Sequence, residues 1–574
     1  MHKLFFKVML TSLSLWLCAG CSKVLTEEPK SLLVPSFFST SQGLQQGLYA
    51  AYGGMRNFWG SQDLFTMTDI GTDDFTRGVD GNSDINLYTS NYTPTTGVLK
   101  SVWKNAYTFI NTCNGVIDNA DKTDLPADQK ARIKAEAKFL RANYYFILVQ
   151  FYGDLTINEH FQATATTAAV RSSVDSVYAL IIKDLKEAIV DLPAAPTSTG
   201  VMPGQATAIA AQHILAKVYL TRGYSKAKKS DDFQNALTMA KTVIENSKGL
   251  GLGLLPDFGD VFKEGNEANA EVLWSVQHTA NIAYNGPNNS GTKNFSADNV
   301  MNHMFVPQYE KQPGMIRSKD YGRPYIRCVP THWLTDTVFA ERQKDSRYNK
   351  TFQTVWYGND PNPKDYPVWP SPLPAGAPAG AVSGQPKFAF GDTAIYMPGY
   401  DVSDAQIKAS KYLLIPPRKY ANNLSPAMFK YFDTQRAGLN DPSIRPTIAF
   451  RLAETYLLAA EAAFQLGQPQ VAADYINKVR ERAAAAGTAV QDMDITSSQV
   501  NIDFILDERA RELCGEMTRW WDLVRTGKLL ERVRLHNPDA GPNIQPKHIL
   551  RPIPQDQIDA TTTGTPYPQN PGWQ

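Results

Sequence analysis

Aromatic side chains lie beside Asn, Asp and Arg in several segments rich in Gly and Pro. Flat rings stack on the C–H faces of sugars, while neighbouring amides, carboxylates and guanidinium groups orient the hydroxyls. For each residue taken singly, the alternative is a ring that pins a long loop to the protein body. Taken together, the set predicts ligand-binding loops, and the residues expected to contact a ligand are Trp59, Tyr88, Tyr92, Tyr284, Asn288, Tyr321 and Trp356.

A short polar loop places oxygen-bearing side chains on alternate residues, at Asp80, Asn82 and Asp84. Calcium-binding loops use this spacing. Such loops carry Gly at the sixth position and Glu at the twelfth, where this chain has Ile85 and Asn91. A polar turn is therefore the favoured interpretation, with Ca²⁺ at these three residues as the alternative, and no other cofactor is expected.

Three glutamates recur at every fourth position, at Glu508, Glu512 and Glu516. Carboxylates at this spacing could hold a metal or form an acid/base pair. Arginines are interleaved with them, at Arg509, Arg511 and Arg519. A ladder of ion pairs along one helix is the better interpretation.

Enzyme motifs are missing from the sequence: it has no H-E-x-x-H, G-x-S-x-G, P-loop or G-x-G-x-x-G pattern. The eight His residues are dispersed, and none pairs with another at helical spacing. The sequence therefore predicts a non-enzymatic protein with no catalytic and no metal-binding residues.

Composition narrows the choice of partners. A net charge of +1 gives no electrostatic reason to bind nucleic acid or an anionic membrane surface. Hydrophobic content of 43% and charged content of 20% are ordinary for a globular protein. Downstream of Cys21, the thiols Cys113, Cys328 and Cys514 are far apart, so they predict buried apolar residues and no disulfide framework.

The first twenty residues have the form of a bacterial lipoprotein signal peptide. A basic start precedes the apolar run Val8–Cys18, whose eleven residues fall short of the roughly 20 that a transmembrane helix needs. Ala19 and Gly20 then precede Cys21, whose thiol could accept a diacylglycerol. The alternative is an ordinary secretory signal, because Cys18 stands where lipoprotein signals usually carry Leu.

The elements that must position the loops are helix pairs with apolar residues at helical spacing. Gly153 and Gly467 are expected to end helices, and Pro469 to start one. The third pair, from Phe450 to Ala483, spans 34 residues, the length of a tetratricopeptide repeat. The predicted helical segments are Val102–Ile117 with Ile133–Phe151, Ser173–Asp191 with Gln205–Arg222 and then Phe233–Asn246, Phe450–Gln465 with the helix after Pro469, and the region Ile505–Val524.

Residues 249–445, between these helical blocks, have few helical periods and are rich in Gly, Pro, Asn and aromatics. Loops of this length inside a compact protein are usually functional or disordered. We therefore expect a signal peptide at 1–20, an N-terminal part with helix pairs at 21–248, a loop-rich ligand-face region at 249–445 and a C-terminal helical region at 446–574. Residues 21–574 are expected to form one compact unit.

With these features the chain resembles the SusD/RagB family of outer-membrane nutrient-binding lipoproteins. The segment Cys21–Leu25, followed by Glu27-Glu28-Pro29, is similar to the family's lipidated opening. The segment Glu136–Ala142, followed by Tyr152-Gly153-Asp154, is similar to a family block. The strongest matches are C-terminal, and the chain ends close to the family pattern, with Trp573 where Tyr is frequent. These C-terminal blocks are Arg451–Glu454, Ala460–Ala462, Ile476–Arg480, Glu508–Glu516, Asp522–Arg525 and Pro552–Pro554.

The resemblance implies a mainly α fold, in which tetratricopeptide-like helix pairs form a curved scaffold beneath a loop-rich insert. It also implies a glycan ligand, a lipid anchor in the outer membrane with exposure at the cell surface, and a partner, a TonB-dependent SusC-like transporter. A peptide-binding uptake protein of the same fold is the first alternative. A glycan hydrolase, and a scaffold that only stabilises the transporter, are the others.

Overall fold

The computed structural model describes residues 35–279, 281 and 297–574. The described chain is mainly helical. Its α-helices are α1 (Pro35–Phe38), α2 (Ser41–Gly54), α3 (Gln62–Thr68), α4 (Ser83–Asn86), α5 (Gly97–Asn119), α6 (Ala127–Tyr152), α7 (Val174–Asp191), α8 (Ala208–Tyr224), α9 (Asp232–Ser247), α10 (Met301–Met304), α11 (Arg347–Thr351), α12 (Asp404–Ala409), α13 (Leu452–Gln465), α14 (Pro469–Arg482), α15 (Ile502–Glu512), α16 (Arg519–Arg525), α17 (Leu529–His536) and α18 (Gln555–Ala560).

Short strands connect parts of the chain that are distant in sequence. β1 pairs antiparallel with β3, β2 with β9 and β4 with β8, while β6 lies between β5 (antiparallel) and β7 (parallel). The strands are β1 (Phe75–Arg77), β2 (Val272–Val276), β3 (Cys328–Pro330), β4 (Phe352–Gln353), β5 (Val355–Tyr357), β6 (Thr393–Tyr396), β7 (Leu413–Leu414), β8 (Ala427–Met428) and β9 (Thr447–Arg451).

The long helices form one continuous stack. Each helix from α5 to α9 packs against the next, and α9 packs on α13, which pairs with α14. Each of these helices buries an apolar stripe that it could not hide alone, so stacking covers successive stripes. The predicted helical fold class is confirmed, and consecutive pairs build the scaffold.

Local signals set the helix ends close to their predicted positions. α6 ends where Gly153 adopts a φ of 73°, and Gly467, with a φ of 72°, separates α13 from α14, which begins at Pro469. The Ser173 and Thr207 side chains accept hydrogen bonds from backbone N–H groups in the first turns of α7 and α8. Helix capping and left-handed glycines are local effects, which is why the sequence predicts them well.

One detail of the C-terminal prediction is corrected, and another is confirmed. Phe450 and Arg451 belong to β9, because their backbone pairs with β2 instead of starting the helix. The region Ile505–Val524 is a helix pair, as predicted, since the chain turns between α15 and α16 at Gly515, whose φ is 70°.

The main hydrophobic core runs through the whole described chain, from Phe38 to Trp573. A second, smaller cluster lies inside the loop-rich part, around Trp356, Tyr309 and Ile395. Cys113, Cys328 and Cys514 are free and buried, as predicted. The insert therefore has a small core of its own and rests on the helical stack.

Buried ion pairs join the insert and strand β9 to the C-terminal helical region. Arg347 of α11 donates to Glu508 at 2.7 Å and to Glu512 at 3.0 Å, and Arg451 of β9 donates to Glu516 at 2.7 Å. Although burial alone would raise it, Arg347 and neighbouring arginines hold the pKa of Glu508 well below its ordinary value. We call Arg347, Arg451, Arg480, Arg482, Glu271, Glu508 and Glu512 the buried ion cluster.

The three glutamates do form ion pairs, but the predicted ladder along one helix is only partly correct. Within α15, Arg511 bonds Glu508 at 2.8 Å. Arg509 instead reaches Glu454 and Asp522, and Arg519 pairs with Asp73. The glutamates thus serve mainly to join elements that are distant in sequence.

Candidate functional site

Four loops of the insert and of the N-terminal part form one surface, which we call the loop face: residues 78–84, 316–327, 357–359 and 421–423. The Gly78 N–H donates to the Arg327 carbonyl at 3.0 Å, and the Val79 N–H donates to the Asn422 carbonyl at 3.2 Å. A Cβ on Gly78 would lie 2.2 Å from the Ile326 carbonyl oxygen, so only glycine allows this approach. Backbone bonding therefore fixes these loops relative to one another.

Tyr321 attaches the 357–359 loop to this surface. Its hydroxyl accepts from the Tyr357 N–H at 2.9 Å, and Asn359 exchanges two hydrogen bonds with the Ile316 backbone. Tyr321 is half-buried, whereas the Tyr357 ring is 52% exposed. The exposed ring of Tyr357 is therefore available to a ligand at the loop face.

Two arginines flank one tyrosine in the 316–327 loop of the loop face. The guanidinium carbons of Arg323 and Arg327 lie 4.8 and 5.3 Å from the centroid of the Tyr325 ring. Arg327 also donates to Gln62 at 3.1 Å and to the Asp80 carbonyl. Burial raises the pKa of Tyr325, so its phenol stays neutral at physiological pH. The two half-buried arginines offer fixed donors to an oxygen-rich ligand.

The polar loop at Asp80, Asn82 and Asp84 lies at the edge of the loop face. The Asn82 side chain caps α4, accepting from the Asp84 and Ile85 N–H groups at 3.0 and 3.2 Å. Within the described ranges, no group of three or more His, Cys, Asp or Glu is arranged to hold a metal. The capping role accounts for the spacing as a turn, and calcium binding here stays a prediction.

Four of the predicted ligand residues lie in the interior. Trp59 is 3% exposed and packs edge-on against Phe450, while Trp356 is fully buried in the small core of the insert. Tyr88 and Tyr92 are buried beside His548. This placement corrects the prediction, because a buried ring cannot stack on a ligand that arrives from solvent. We therefore leave these four residues out of the candidate site.

Tyr321 is the one described member of the predicted set at the loop face. Tyr284, Asn288 and Cys21 lie outside the described residues. The Trp356 error has a simple cause: successive side chains of β5 point to opposite sides, so Trp356 faces the core and Tyr357 faces solvent. Sequence reasoning selected this strand but chose the residue on its buried side.

Sequence reasoning also passed over the arginines of the loop face. The alternation Arg323-x-Tyr325-x-Arg327 is visible in the sequence and could have indicated a charged aromatic cluster. These arginines form part of a surface only because the 78–84 loop packs beside them. The two segments are more than two hundred residues apart, and nothing in the local sequence predicts their contact.

A large cavity of the described chain lies elsewhere, among the helices, and we call it the helical cavity. It has a volume of about 1260 Å³ and is bounded by α2, α5, α6, the loop at 200–205 and the end of β2. None of its lining residues belongs to the loop face. Tyr49 stands at its rim with 53% of its surface exposed, and Phe109, Ile133 and Trp274 form buried parts of its wall.

A hydrogen-bonded group of polar side chains lines one wall of the helical cavity. The buried Glu136 carboxylate accepts from the Tyr52 hydroxyl at 2.7 Å, from Gln205 at 2.8 Å and from the Arg132 Nε at 3.3 Å. Burial, followed by the charge of Glu136, raises the pKa of Tyr52 well above its ordinary value. Arg56 donates its Nε–H to the Gln277 carbonyl at 2.6 Å. These bonds fix the polar side chains in place before any ligand arrives.

Among the helices that the structure describes, none is long and apolar enough to cross a membrane.

Comparison with known proteins gives a consistent result along the chain. A family model described as the SusD family matches residues 261–573, and one described as starch-binding, associating with the outer membrane, matches residues 24–220. SusD-like protein P25 of Formosa agariphila is 27% identical over 95% of this chain and 97% of its own length. A SusD-like protein of Bacteroides ovatus is 30% identical over 47% of this chain and 49% of its own.

Solved structures match over nearly the whole length. A laminarin-binding SusD-like protein superposes with a TM-score of 0.65 at 23% identity, covering 93% of this chain and 99% of its own. Surface glycan-binding protein A from Bacteroides fluxus gives a TM-score of 0.64 at 19% identity with the same coverage. At these identities the likeness concerns the fold.

Proposed function

Because the chain belongs to the SusD family, we propose that it is a cell-surface glycan-binding lipoprotein. It captures an oligosaccharide or polysaccharide and delivers it to a partner TonB-dependent outer-membrane transporter of the SusC type. The starch-binding description of the second family model supports this proposal, as does the shared fold with a laminarin-binding SusD-like protein and a surface glycan-binding protein.

The loop face is the proposed glycan site, and the placement of Tyr325 between Arg323 and Arg327 is the observation that carries it. These guanidinium groups supply directional donors for sugar hydroxyls, and the exposed Tyr357 ring supplies a flat apolar surface. The hydrogen bonds between the four loops hold these groups in place, which lowers the entropic cost of binding. Binding at this site is reversible and non-catalytic.

Isothermal titration against a glycan panel tests the proposal, using the mature chain with Cys21→Ser. A binder from the panel should lose at least about tenfold in affinity in Tyr357→Ala and in Arg323→Ala, since each removes a direct contact. Val190→Ala is the matched control, because Val190 is 79% exposed on α7 and away from the loop face.

Two outcomes would contradict the proposal. Binding of oligopeptides without binding of any glycan would favour the peptide-uptake alternative. Release of shorter products during incubation with the panel, followed by chromatography, would indicate a hydrolase.

Anchoring and partnership are tested in the native host. Cys21→Ser should move the protein from the membrane fraction to the soluble fraction, because acyl chains contribute about 0.8 kcal/mol per buried methylene. Affinity purification of the lipidated protein should recover a TonB-dependent transporter. Recovery of the lipoprotein without any transporter would contradict the delivery role.

A further inference from the structure

The helical cavity has the features of a ligand site that is separate from the loop face. Its volume of about 1260 Å³ exceeds the roughly 300–1,000 Å³ of typical small-molecule sites, so it has room for more than one sugar ring. α2 presents Tyr49 and Tyr52 to the cavity on successive turns, and the 3₁₀ turn Met55–Asn57 that follows α2 presents Arg56. Gly53 leaves a gap between them, since a Cβ there would meet no atom within 4 Å.

The charges of the cavity favour an anion. Its charged lining residues, among those described, are two arginines, Arg56 and Arg132, and one carboxylate, Glu136. Glu136 is 3% exposed and already accepts three hydrogen bonds, so it is not free to bind a ligand cation. The lining therefore complements a ligand with a negative group.

Arg132 is the group best placed to receive that charge. Its Nε is bonded to Glu136, its side chain is 37% exposed, and within the described part of the chain its Nη1 and Nη2 groups make no hydrogen bond. A guanidinium with two open N–H groups suits a carboxylate, which it can bind through two parallel bonds. The bond to Glu136 holds the guanidinium in position, so less entropy is lost on binding.

The remaining lining matches a sugar chain. The Tyr49 ring is 53% exposed and offers a flat face for a pyranose. Gln45, Gln129 and Gln277 place amide groups around the opening, and amides both donate to and accept from hydroxyls. We propose that the helical cavity binds an acidic oligosaccharide, with a uronate carboxylate on Arg132 and a sugar ring on Tyr49.

Titration calorimetry with defined uronate oligomers tests the proposal on the mature chain carrying Cys21→Ser. The probes are tetragalacturonate, tetramannuronate and the neutral oligomer obtained by reducing the carboxylates to alcohols. At least one uronate should bind, the reduced oligomer should bind at least about tenfold more weakly, and added salt should weaken the uronate because Arg132 is partly exposed.

Variants locate the binding. Arg132→Gln should reduce uronate affinity at least about tenfold, and Gly53→Trp should abolish binding by filling the cavity. Gly97→Trp is the matched control, because Gly97 is also helical and has equally open space around a Cβ. Tyr357→Ala should leave uronate affinity unchanged, which separates this site from the loop face, so that either proposal can fail alone.

The proposal is overturned if neither uronate binds, if the reduced oligomer binds as tightly as its parent, or if Gly53→Trp binds like Gly97→Trp. Displacement of the uronate by an acidic peptide of higher affinity would also overturn it, in favour of a peptide site.

Discussion

Arg347 and Glu508 are 161 positions apart in the sequence, yet Nη1 of the arginine donates to Oε1 of the glutamate at 2.7 Å, and neither side chain is exposed. The arginine belongs to the loop-rich insert and the glutamate to the C-terminal helices. Arg347 also donates to Asp345 and Glu512. One guanidinium therefore connects the part of the chain that carries the loop face to the part that supports it.

Replacing Arg347 by Met should destabilise the protein by about 3–5 kcal/mol, because the variant leaves the carboxylates of Glu508 and Glu512 buried without this partner. Urea denaturation followed by circular dichroism measures the loss. Arg418→Met is the control, since Arg418 pairs with Asp404 at the surface and should change stability by no more than about 1 kcal/mol. Equal stability of the two variants would contradict the role of the buried ion cluster.

Asp74 should make stability depend on pH. Burial, with a contribution from Asp73 and against the effect of Arg519, raises the pKa of Asp74 to about 7. The folded protein thus holds this proton more tightly than the unfolded chain, so the stabilisation is full below about pH 4 and is lost as pH rises through 7. Between pH 5 and pH 8 the wild type should lose on the order of 2 kcal/mol in free energy of unfolding through Asp74, and Asp74→Asn should not show this loss. Urea denaturation at the two pH values measures the difference.

Asp73 provides the opposite control for that measurement. Despite burial, Arg519 and Arg532 lower the pKa of Asp73 to about 2. Its stabilisation is present above about pH 4 and is lost as pH falls towards 2. Asp73→Asn should therefore weaken the fold at both pH 5 and pH 8, and a gain in stability at pH 8 would argue against this assignment.

Trp59→Ala should act on stability and not directly on ligand binding. The indole is 3% exposed, so its removal leaves a cavity that costs about 3–5 kcal/mol. Thermal and urea denaturation measure this loss, while the fraction that remains folded should bind glycan with wild-type affinity. Tyr357→Ala is the converse variant, with unchanged stability and weakened binding. Normal stability of Trp59→Ala together with lost binding would restore Trp59 to the ligand site.

Two glycine-to-alanine variants should change stability in opposite directions. Gly53 lies within α2 with open space around a Cβ, so Gly53→Ala should stabilise the protein by about 0.5–1 kcal/mol. Gly467 has a φ of 72°, where an alanine Cβ is strained, so Gly467→Ala should destabilise it by about 1–2 kcal/mol. Differences in the midpoint of urea denaturation check both signs.

The sequence predicted the helical scaffold because its signals are local. The apolar period of α6, the stop at Gly153 and the start at Pro469 each involve residues within a few turns of one another. The strand β9 was missed at Phe450 because its partner β2 is far away in sequence, and pairing, not the local pattern, decides its conformation.

The candidate sites were harder to predict for the same reason. An aromatic in a loop rich in Gly and Pro can anchor that loop or face a ligand, and Trp356 and Tyr357 differ only in the side of the strand they occupy. The helical cavity was not predicted from the sequence, since α2, which forms one of its walls, was not among the predicted helices. Thr40 before α2 and the apolar spacing of Leu44, Leu48 and Ala51 were the available signals.

The pairing of β2 with β9 has a consequence for how this chain can diversify. Val276 lies opposite Thr447, so the long segment between them leaves the helical body and returns to it at neighbouring points. Because the two ends of this segment are adjacent, insertions or deletions within it change the entropy of loop closure only slowly. New ligand specificities could therefore arise by changes in the loops within residues 277–446, while the two flanking strands keep their sequence and Arg347 keeps its buried pairs with Glu508 and Glu512.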